Sequence, residues 1–450
     1  ASLKAAAESG TVELAFTFDG QSLAGHDLVA FETLYCKNVE QAAHKDIEDE
    51  NQTMYLPGID TTLADIRDNR HDALAEENMT LVDRVDYTNL TPGLVYTAKG
   101  ILMDQDTNEP MLDDDGYEIT AESTFTADSS EGYVNITFQF KGLSLPGRSV
   151  VAFESMYRGD KLIAVHHDIH DDAQTLKIPK IDTTLVDIQD NRHDALGENI
   201  TSIDRVDYWN LIPGETYTAR GILMDKSTGE RMLDDDGNEI TAQETFVAES
   251  ENGYINITFK FKGYSLPGKS VVAFETMYRH GGIEDEPSDD QPSGDDPADD
   301  NPAGDDPAGD DPAGDSPSAE DPSFDPSTDS DLSTDDDKIV AIHHDINDDE
   351  QTLKIPKIDT SLSDTTDRRA SIQASDKVVL VDHVTCSNLT AGETYTVHGV
   401  VMDRETGRPE LDDSGREISS ETTFLCLETG GSADVTFTFS GTGLAGRARI

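Results

Sequence analysis

Short runs of alternating apolar and polar residues, separated by turn-forming residues, recur along most of the 450-residue chain. The runs "YTAKGILMD", "EITAESTFTA", "YVNITFQFKG" and "SVVAFESMY" are rich in Val, Ile, Thr, Phe and Tyr, which favour strands. Turn signals such as Pro92-Gly93, Asp115-Gly116 and Pro146-Gly147 lie between them. No segment of useful length carries the period of a helix. The pattern therefore predicts an all-β chain.

This strand pattern is repeated. "GIDTTLADIRDNRHDAL" begins at residue 58 and returns as "KIDTTLVDIQDNRHDAL" at residue 180 and, degraded, as "KIDTSLSDTTDRRAS" at residue 357. "VAFETLY", "VAFESMY" and "VAFETMY" begin at residues 29, 151 and 272. Each copy holds seven or eight predicted strands over about 120 residues, which is typical of an antiparallel β-sandwich of immunoglobulin-like type.

The repeats predict two complete domains and two partial ones. The predicted parts are a C-terminal half-domain at residues 1–56, complete domains at residues 57–178 and 179–355, and an incomplete N-terminal part at residues 356–450.

An acidic insert at residues 281–337 interrupts one hairpin of the second complete copy. Between Glu284 and Asp337 it has 22 acidic residues and no Lys or Arg, with a proline at every fifth position from Pro287 to Pro322. This composition cannot bury a core, and loop closure costs grow only slowly with length. We therefore predict a disordered, extended loop at the hairpin tip.

The composition excludes several classes of function. A formal net charge of −59 disfavours nucleic acid and anionic membranes as partners. No apolar run is long enough to insert into a membrane, and Ala1 does not begin a signal-peptide pattern. The three cysteines, Cys36, Cys386 and Cys426, show no paired spacing, so the sequence indicates neither a disulfide framework nor a zinc site.

A segment rich in His and Asp resembles a metal site at first sight. Its three versions read AHKDIEDENQT, VHHDIHDDAQT and IHHDINDDEQT. One His and one Gln recur in all three, namely His44, His166 and His343 with Gln52, Gln174 and Gln351. The neighbouring His167 is replaced by Lys45 in the first version, and a metal site does not exchange a ligand for Lys. We therefore expect neither a metal nor a cofactor.

Several polar residues fall in apolar rows. In "TLVDRVDY" the alternation places Asp83 among apolar residues, and Asp204 takes that place in the next copy. Glu154 lies inside the almost wholly apolar "SVVAFESMY". Buried acids without a cation are costly unless they are neutral or share a proton. In "GIDTTLAD" the same parity directs Thr61 inward.

A Thr, a Gln, two acids and a His together form a reaction centre. The Thr hydroxyl would attack the Gln carboxamide, release ammonia and leave an intramolecular ester. Two buried acids that share a proton can serve both proton transfers, because their ionisations are pushed apart. His166 would polarise the carbonyl or relay a proton to the leaving group.

The motifs I-x-T-x-x-x-D, x-D-x-V, V-A-F-E and H-x-D-I-x-D-x-x-Q-T, in that order, resemble the Thr–Gln ester-bond domains of Gram-positive surface adhesins, also called VaFE repeats. The resemblance covers nearly all of the chain except the insert. It implies immunoglobulin-like domains in a wall-attached, extracellular stalk, each locked by an ester between its first and last strands. No sorting signal for wall attachment is present in the chain.

The resemblance also implies the roles of individual residues. The implied bond partners are Thr61 with Gln174 and Thr183 with Gln351. The implied assisting residues are Asp83, Glu154 and His166 in the first complete domain, and Asp204, Glu275 and His343 in the second. The partial copies hold only fragments of this set, with Glu32, His44 and Gln52 at one end of the chain and Thr360 and Asp382 at the other.

Other functions remain open from the sequence. One alternative is a ligand-binding or calcium-binding sandwich module without cross-links, although "MDQDTNEPMLDDDG" lacks the glycine of an EF-hand loop. A hydrolase would need repeated turnover on an outside substrate, whereas the nucleophile predicted here is consumed once. The partial copies represent either a truncated sequence or halves that complement a second molecule head to tail, joining Thr360 to Gln52. The adhesin's partner on a host or neighbouring cell is not identifiable from these residues.

Overall fold

The structure, a computed structural model, describes residue 4 and residues 8–195, 199–263, 266–280, 337–365, 372 and 375–444. These residues form strands joined by loops and short 3-10 turns, and no α-helix occurs among them. The prediction of an all-β chain is confirmed. The disorder predicted for the insert falls on residues 281–336, which lie outside the described residues.

The strands follow the repeats. Four lie in residues 1–56: β1 (Asp27–Val29), β2 (Glu32–Cys36), β3 (Val39–His44) and β4 (Thr53–Tyr55). The first complete copy has β5 (Gly58–Asp65), β6 (Met79–Thr88), β7 (Val95–Asp104), β8 (Thr120–Thr126), β9 (Gly132–Phe140), β10 (Ser149–Arg158), β11 (Lys161–His166) and β12 (Thr175–Lys177). The second has β13 (Lys180–Asp187), β14 (Asn199–Trp209), β15 (Thr216–Asp225), β16 (Thr241–Val247), β17 (Gly253–Lys262), β18 (Ser270–Arg279), β19 (Lys338–His343) and β20 (Thr352–Lys354). The last copy has β21 (Lys357–Asp364), β22 (Val378–Ser387), β23 (Thr394–Val400), β24 (Met402–Asp403), β25 (Arg408–Pro409), β26 (Ser419–Leu425) and β27 (Gly430–Phe439). The 3-10 turns are Gln21–Leu23, Glu50–Gln52, Asp172–Gln174 and Thr442–Leu444.

Each complete copy is an antiparallel sandwich of a three-stranded and a five-stranded sheet. In the first copy the strand orders are β5-β6-β9 and β11-β10-β7-β8, with β12 also paired to β10. The second copy repeats this arrangement as β13-β14-β17 and β16-β15-β18-β19, with β20 on β18. Alternate side chains of both sheets meet in one core, which includes Leu63, Leu81, Phe138 and Met156. The immunoglobulin-like sandwich predicted from the sequence is confirmed.

The topology exposes one edge of the core to polar side chains. β11 and β12 pair with different parts of the same strand, β10, and the loop between them carries the 3-10 turn Asp172–Gln174. This interruption lets a side chain of the loop enter the core between the sheets. The facing edge of the smaller sheet is β5, the first strand of the domain. The first strand and the end of the last hairpin are thus adjacent.

The two ends of the acidic insert belong to one hairpin. Arg279 at the end of β18 pairs with Lys338 at the start of β19. Beyond this pair, Nδ1 of His280 lies 2.8 Å from Oδ1 of Asp337. The corresponding hairpin of the first copy closes through Gly159 and Asp160 alone.

Contacts group the chain into two compact units, Ala1–Lys180 with Tyr208–Leu211, and Ile181–Asp207 with Ile212–Ile450. This grouping is coarser than the four predicted parts, so the four-part division stays a prediction. Within each unit an Asn in the left-handed region joins successive copies. Nδ2 of Asn89 (φ 60°) donates to the carbonyl of Leu56 at 3.3 Å, and Nδ2 of Asn388 (φ 60°) donates to that of Ile355 at 3.2 Å.

Candidate cross-linking site

Each complete copy buries a Thr, a Gln and two carboxyl groups in the interface between its sheets. In the first copy Thr61 is 2 % exposed, and Asp83, Glu154 and Gln174 are fully buried. Strand alternation directs Thr61 inward from β5, as the sequence predicts. The second copy buries Thr183, Asp204, Glu275 and Gln351 in the same way.

The Thr hydroxyl and the Gln amide share one carboxyl oxygen. Thr61 Oγ1 donates to Oε2 of Glu154 at 3.1 Å, and Nε2 of Gln174 donates both to Thr61 Oγ1 and to the same Oε2. Both neighbours of the Gln174 amide nitrogen are acceptors, which fixes the orientation of the amide. The structure therefore brings the Thr61 hydroxyl, the Gln174 amide and the Glu154 carboxyl group into direct contact.

The second copy reproduces these contacts. Thr183 Oγ1 donates to Oε2 of Glu275 at 3.1 Å. Nε2 of Gln351 donates to Thr183 Oγ1 and to the same Oε2. The two copies thus share the same Thr, Gln and Glu contacts, although the Thr and the Gln are 168 positions apart in this copy and 113 in the first.

The two buried acids are close enough for each to shift the pKa of the other. Burial raises the pKa of Glu154, and the neighbouring charge of Asp83 raises it further. Burial also raises the pKa of Asp83, while the hydrogen bond from Glu154 lowers it in part, so Glu154 keeps the proton. Burial and the charge of Asp204 likewise raise the pKa of Glu275 well above the ordinary carboxyl range.

His166 lies beside the acid pair, because it is the cross-strand neighbour of Glu154. Its Nε2 is 2.9 Å from Oδ2 of Asp171, and its Nδ1 is 3.6 Å from Oδ1 of Asp60. Within the described part of the chain, no hydrogen-bond donor reaches Oε1 of Gln174. The predicted role of His166 in polarising this carbonyl or relaying a proton thus stays a prediction.

The sequence did not predict that two acids, Asp60 and Asp171 in the first copy, would lie beside this His. In the second copy His343 Nε2 is 3.3 Å from Asp348 and Nδ1 is 3.7 Å from Asp182. The signal was available, because an Asp immediately precedes the Thr and another stands three residues before the Gln in every copy that contains them. Asp171 has a second function, since its Oδ1 accepts a 2.8 Å hydrogen bond from the backbone of Ala173 and caps the turn that carries Gln174.

The cluster of Asp60, His166 and Asp171 is compact enough to hold a metal ion. However, the two carboxylates approach different ring nitrogens of His166, whereas a metal ion binds one nitrogen of a given imidazole. The arrangement therefore suits a hydrogen-bonded imidazole better than a chelate. The expectation that the site needs no metal or cofactor stays a prediction.

The partial copies present parts of the same arrangement. Glu32 pairs with His44 across β2 and β3, and His44 Nε2 is 2.8 Å from Asp49, which caps the turn that contains Gln52. At the other end, Leu362 lies opposite Asp382, the register that places Leu63 opposite Asp83. Thr360 has the same register in β21 as Thr61 has in β5, but its side chain is exposed.

The family described as "T-Q ester bond containing domain" matches residues 1–56, 57–178, 179–355 and 356–449. The chain belongs to this family. The resemblance inferred from the motifs is thereby confirmed.

Solved structures with related sheets are more distant. A bacterial adhesin from Mobiluncus mulieris containing intramolecular disulfide, isopeptide and ester bond cross-links is 13 % identical, with a TM-score of 0.23 over 49 % of this chain and 80 % of that chain. The C-terminal domain of the Streptococcus pyogenes antigen I/II-family protein AspA is 10 % identical, with a TM-score of 0.25 over 50 % of this chain and 96 % of that chain. Scores this low carry no argument about function. No curated protein matches the chain.

Proposed function

We propose that this chain is a load-bearing segment of a bacterial surface adhesin stalk, in which each complete domain forms its own ester cross-link. The proposed bonds join Thr61 to Gln174 and Thr183 to Gln351. The observation that carries the proposal is the buried contact of Thr hydroxyl, Gln amide and one Glu oxygen, present in both domains. Membership of the ester-bond family supports it.

The reaction replaces the amide of Gln174 with an ester. Thr61 Oγ1 attacks Cδ of Gln174 and forms a tetrahedral intermediate. The bond from Cδ to Nε2 then breaks, so one ammonia leaves and an ester between Oγ1 and Cδ remains. Atoms balance without any outside reactant, and each cross-link lowers the mass of the chain by about 17 Da, one ammonia.

Glu154 supplies both proton transfers. Its Oε2 accepts hydrogen bonds from the Thr61 hydroxyl and from the Gln174 amide, so its proton lies on Oε1, toward Asp83. As Oε2 takes the hydroxyl proton, Oε1 can pass its own proton to Asp83, and Glu154 never carries two protons. Oε2 then returns the proton to the departing nitrogen. Asp83 acts as the reservoir of this exchange.

His166, which lies between Asp60 and Asp171, assists this proton exchange through its charge. Its Nε2 faces a carboxylate oxygen of Asp171 and its Nδ1 faces one of Asp60. Burial raises the pKa of Asp83, and the charge of a protonated His166 lowers it in part, which favours the ionised form of Asp83. We assign His166 this electrostatic role in addition to a proton relay.

The product stays in the site, so the reaction occurs once per domain and the chain is not a turnover enzyme. Exclusion of water by the surrounding core protects the ester from hydrolysis. Because the bond joins the first strand to the end of the last hairpin, a pulling force passes through the ester and cannot unzip the sheets. Only eight residues separate Gln174 from Thr183 along the chain, so the linker between the two proposed bonds is short.

The proposed location is the extracellular surface of a Gram-positive bacterium. In the described residues, no helix has the length and apolar character that crossing a membrane requires. The adhesin's partner would be a host or neighbouring-cell surface bound outside this segment. The complementary fragments with Gln52 and Thr360 also allow a second copy to join head to tail, and covalent ladders on denaturing gels that vanish in Thr360→Ala would support this pairing.

The intact mass of the full chain tests the proposal. We expect a deficit of two ammonia molecules relative to the sequence, falling to one in Thr61→Ala and in Thr183→Ala and to none in the double variant. A mass equal to the sequence would contradict the cross-link and favour an unlinked binding module.

A further inference from the structure

The last domain carries a pair of cysteines that the ester reaction does not use. Cys386 lies in β22, in the sheet β21-β22-β27, and Cys426 directly follows β26, in the sheet β23-β26. Both are buried in one apolar core, with 5 % and 0 % exposure. The third cysteine, Cys36, is exposed in a distant part of the sequence.

The two positions are occupied differently in the complete domains. Cys386 pairs with Gly431 as Tyr87 pairs with Gly132 in the first copy. Cys426 accepts a hydrogen bond from the backbone of Gly392 at 2.7 Å, as Ala127 does from Gly93 at 2.8 Å. A large and a small core residue are therefore both replaced by cysteine.

The second complete copy repeats the pair found in the first, with Tyr208 and Ala248. Ala248 accepts from Gly214 at 2.8 Å, so the backbone position is the same. Each of these four residues is buried, Tyr87 and Ala127 in the first copy and Tyr208 and Ala248 in the second.

Both cysteines border on Gly430. Sγ of Cys426 lies 3.6 Å from the carbonyl oxygen of Gly430. The carbonyl oxygen of Cys386 lies 2.8 Å from the place that a Cβ on Gly430 would occupy. The absence of that Cβ lets β22 and β27, which pair at this point, lie close together. The charge interaction between the two thiols, which adds to burial in raising the pKa of Cys386, agrees with both lying beside Gly430.

We propose that Cys386 and Cys426 form a disulfide that links the two sheets of the last domain. The bond would hold together β22 and the end of β26, a pair of segments that the ester does not join. It gives this partial domain a covalent lock across the sandwich. Its persistence in the organism rests on the extracellular location proposed above, because disulfides are stable in oxidising surroundings.

The oxidant must be a disulfide donor, either a small-molecule disulfide or an oxidised thiol–disulfide oxidoreductase. One thiolate attacks the donor and forms a mixed disulfide, and the second thiolate displaces the donor's remaining thiol. Two protein thiols are oxidised and one donor disulfide is reduced to two thiols. Burial raises the pKa of Cys386 and hinders thiolate formation in the folded state, so the bond should form during folding.

The experiment counts thiols in the full chain. The protein is unfolded with reductant, freed of the reductant, refolded with oxidised glutathione and then alkylated in denaturant. We expect Cys386 and Cys426 to escape both alkylation and glutathione adducts, with Cys36 recovered as its alkylated thiol or its glutathione adduct, against three alkylated thiols in a sample that is reduced first. Peptide mapping without reduction should find the Cys386 peptide joined to the Cys426 peptide, and Cys36→Ser should leave that link intact with no free thiol.

Three alkylated thiols, stable glutathione adducts on Cys386 or Cys426, or a link that includes Cys36 would each overturn the proposal. The ammonia deficit of the same samples reports the ester separately. A chain with the deficit but with three free thiols would refute the disulfide alone. A chain with the disulfide but without the deficit would refute only the ester cross-links.

Discussion

Replacing Thr61 by Val removes the proposed nucleophile with little change in shape and opens the first cross-link. The ester closes a loop between positions 113 residues apart. By the chain-entropy relation such a closure stabilises the folded state by roughly 5 kcal/mol, because it restricts the unfolded chain. In the cross-linked protein Thr61 Oγ1 is the ester oxygen and no longer donates to Glu154, so the lost ring closure is the main change in stability.

This change should be visible as a lower melting temperature of the first complete domain. A domain of this size shifts by on the order of 4 °C for each kcal/mol, so the expected decrease is on the order of 20 °C. Differential scanning calorimetry of the full chain measures it, beside the intact mass of the same sample. The second domain, whose bond spans 168 positions, serves as an internal reference, and Thr183→Val should move its transition instead.

Thr61→Ser is the matched control, because serine keeps the hydroxyl. It should restore the ammonia deficit and most of the melting temperature. The reasoning would be refuted if Thr61→Val lost the deficit but melted with the native protein, because the bond would then not stabilise the fold. An undiminished deficit in Thr61→Val would exclude Thr61 as the nucleophile.

Three further predictions concern the acid pair and the insert. Glu154→Gln cannot exchange the proton, so the first domain should keep its ammonia while the second still loses one; Glu275→Gln should give the reverse pattern by intact mass. In Thr61→Val, the raised pKa of Glu154 means that the folded state holds this proton more tightly than the unfolded state. Its contribution to stability is therefore complete below the ordinary carboxyl pKa and is lost as the pH rises toward the folded-state pKa. The urea midpoint of Thr61→Val should accordingly fall from pH 5 to pH 8, and adding Glu154→Gln should flatten this slope. Finally, replacing residues 280–337 by the Gly-Asp of the first hairpin should leave the ester of Gln351 and the melting temperature of the second domain nearly unchanged, because loop-closure cost varies slowly with length; loss of the second ammonia deficit would show that the insert is needed for folding.

The sequence predicted the fold and the chemical groups of the site because both follow from local periodicity and from comparison of the copies. Alternation along β5 placed Thr61 on the inner face, and alternation along β6 placed Asp83 there too, as the structure shows. An acid inside an apolar strand, repeated in the next copy, marked Glu154 without knowledge of any contact. These inferences need only the two-residue period of a strand.

The sequence did not predict what depends on distances between elements. It missed Asp60 and Asp171 because the first lies on the outer face of β5 and the second in an irregular loop, and only tertiary packing brings them to His166. It also dismissed Cys386 and Cys426, because the 39 residues between them give no pairing signal. Their common core is set by how two sheets stack.

The sequence by itself thus determined which residues face inward, since the period of a strand is fixed by backbone geometry. Only the tertiary structure decided which of those residues meet. The interruption between β11 and β12 admits Gln174 to the core, and the shared oxygen of Glu154 places the amide against Thr61. These outcomes depend on register and sheet packing, which sum many long-range contacts that no local pattern encodes.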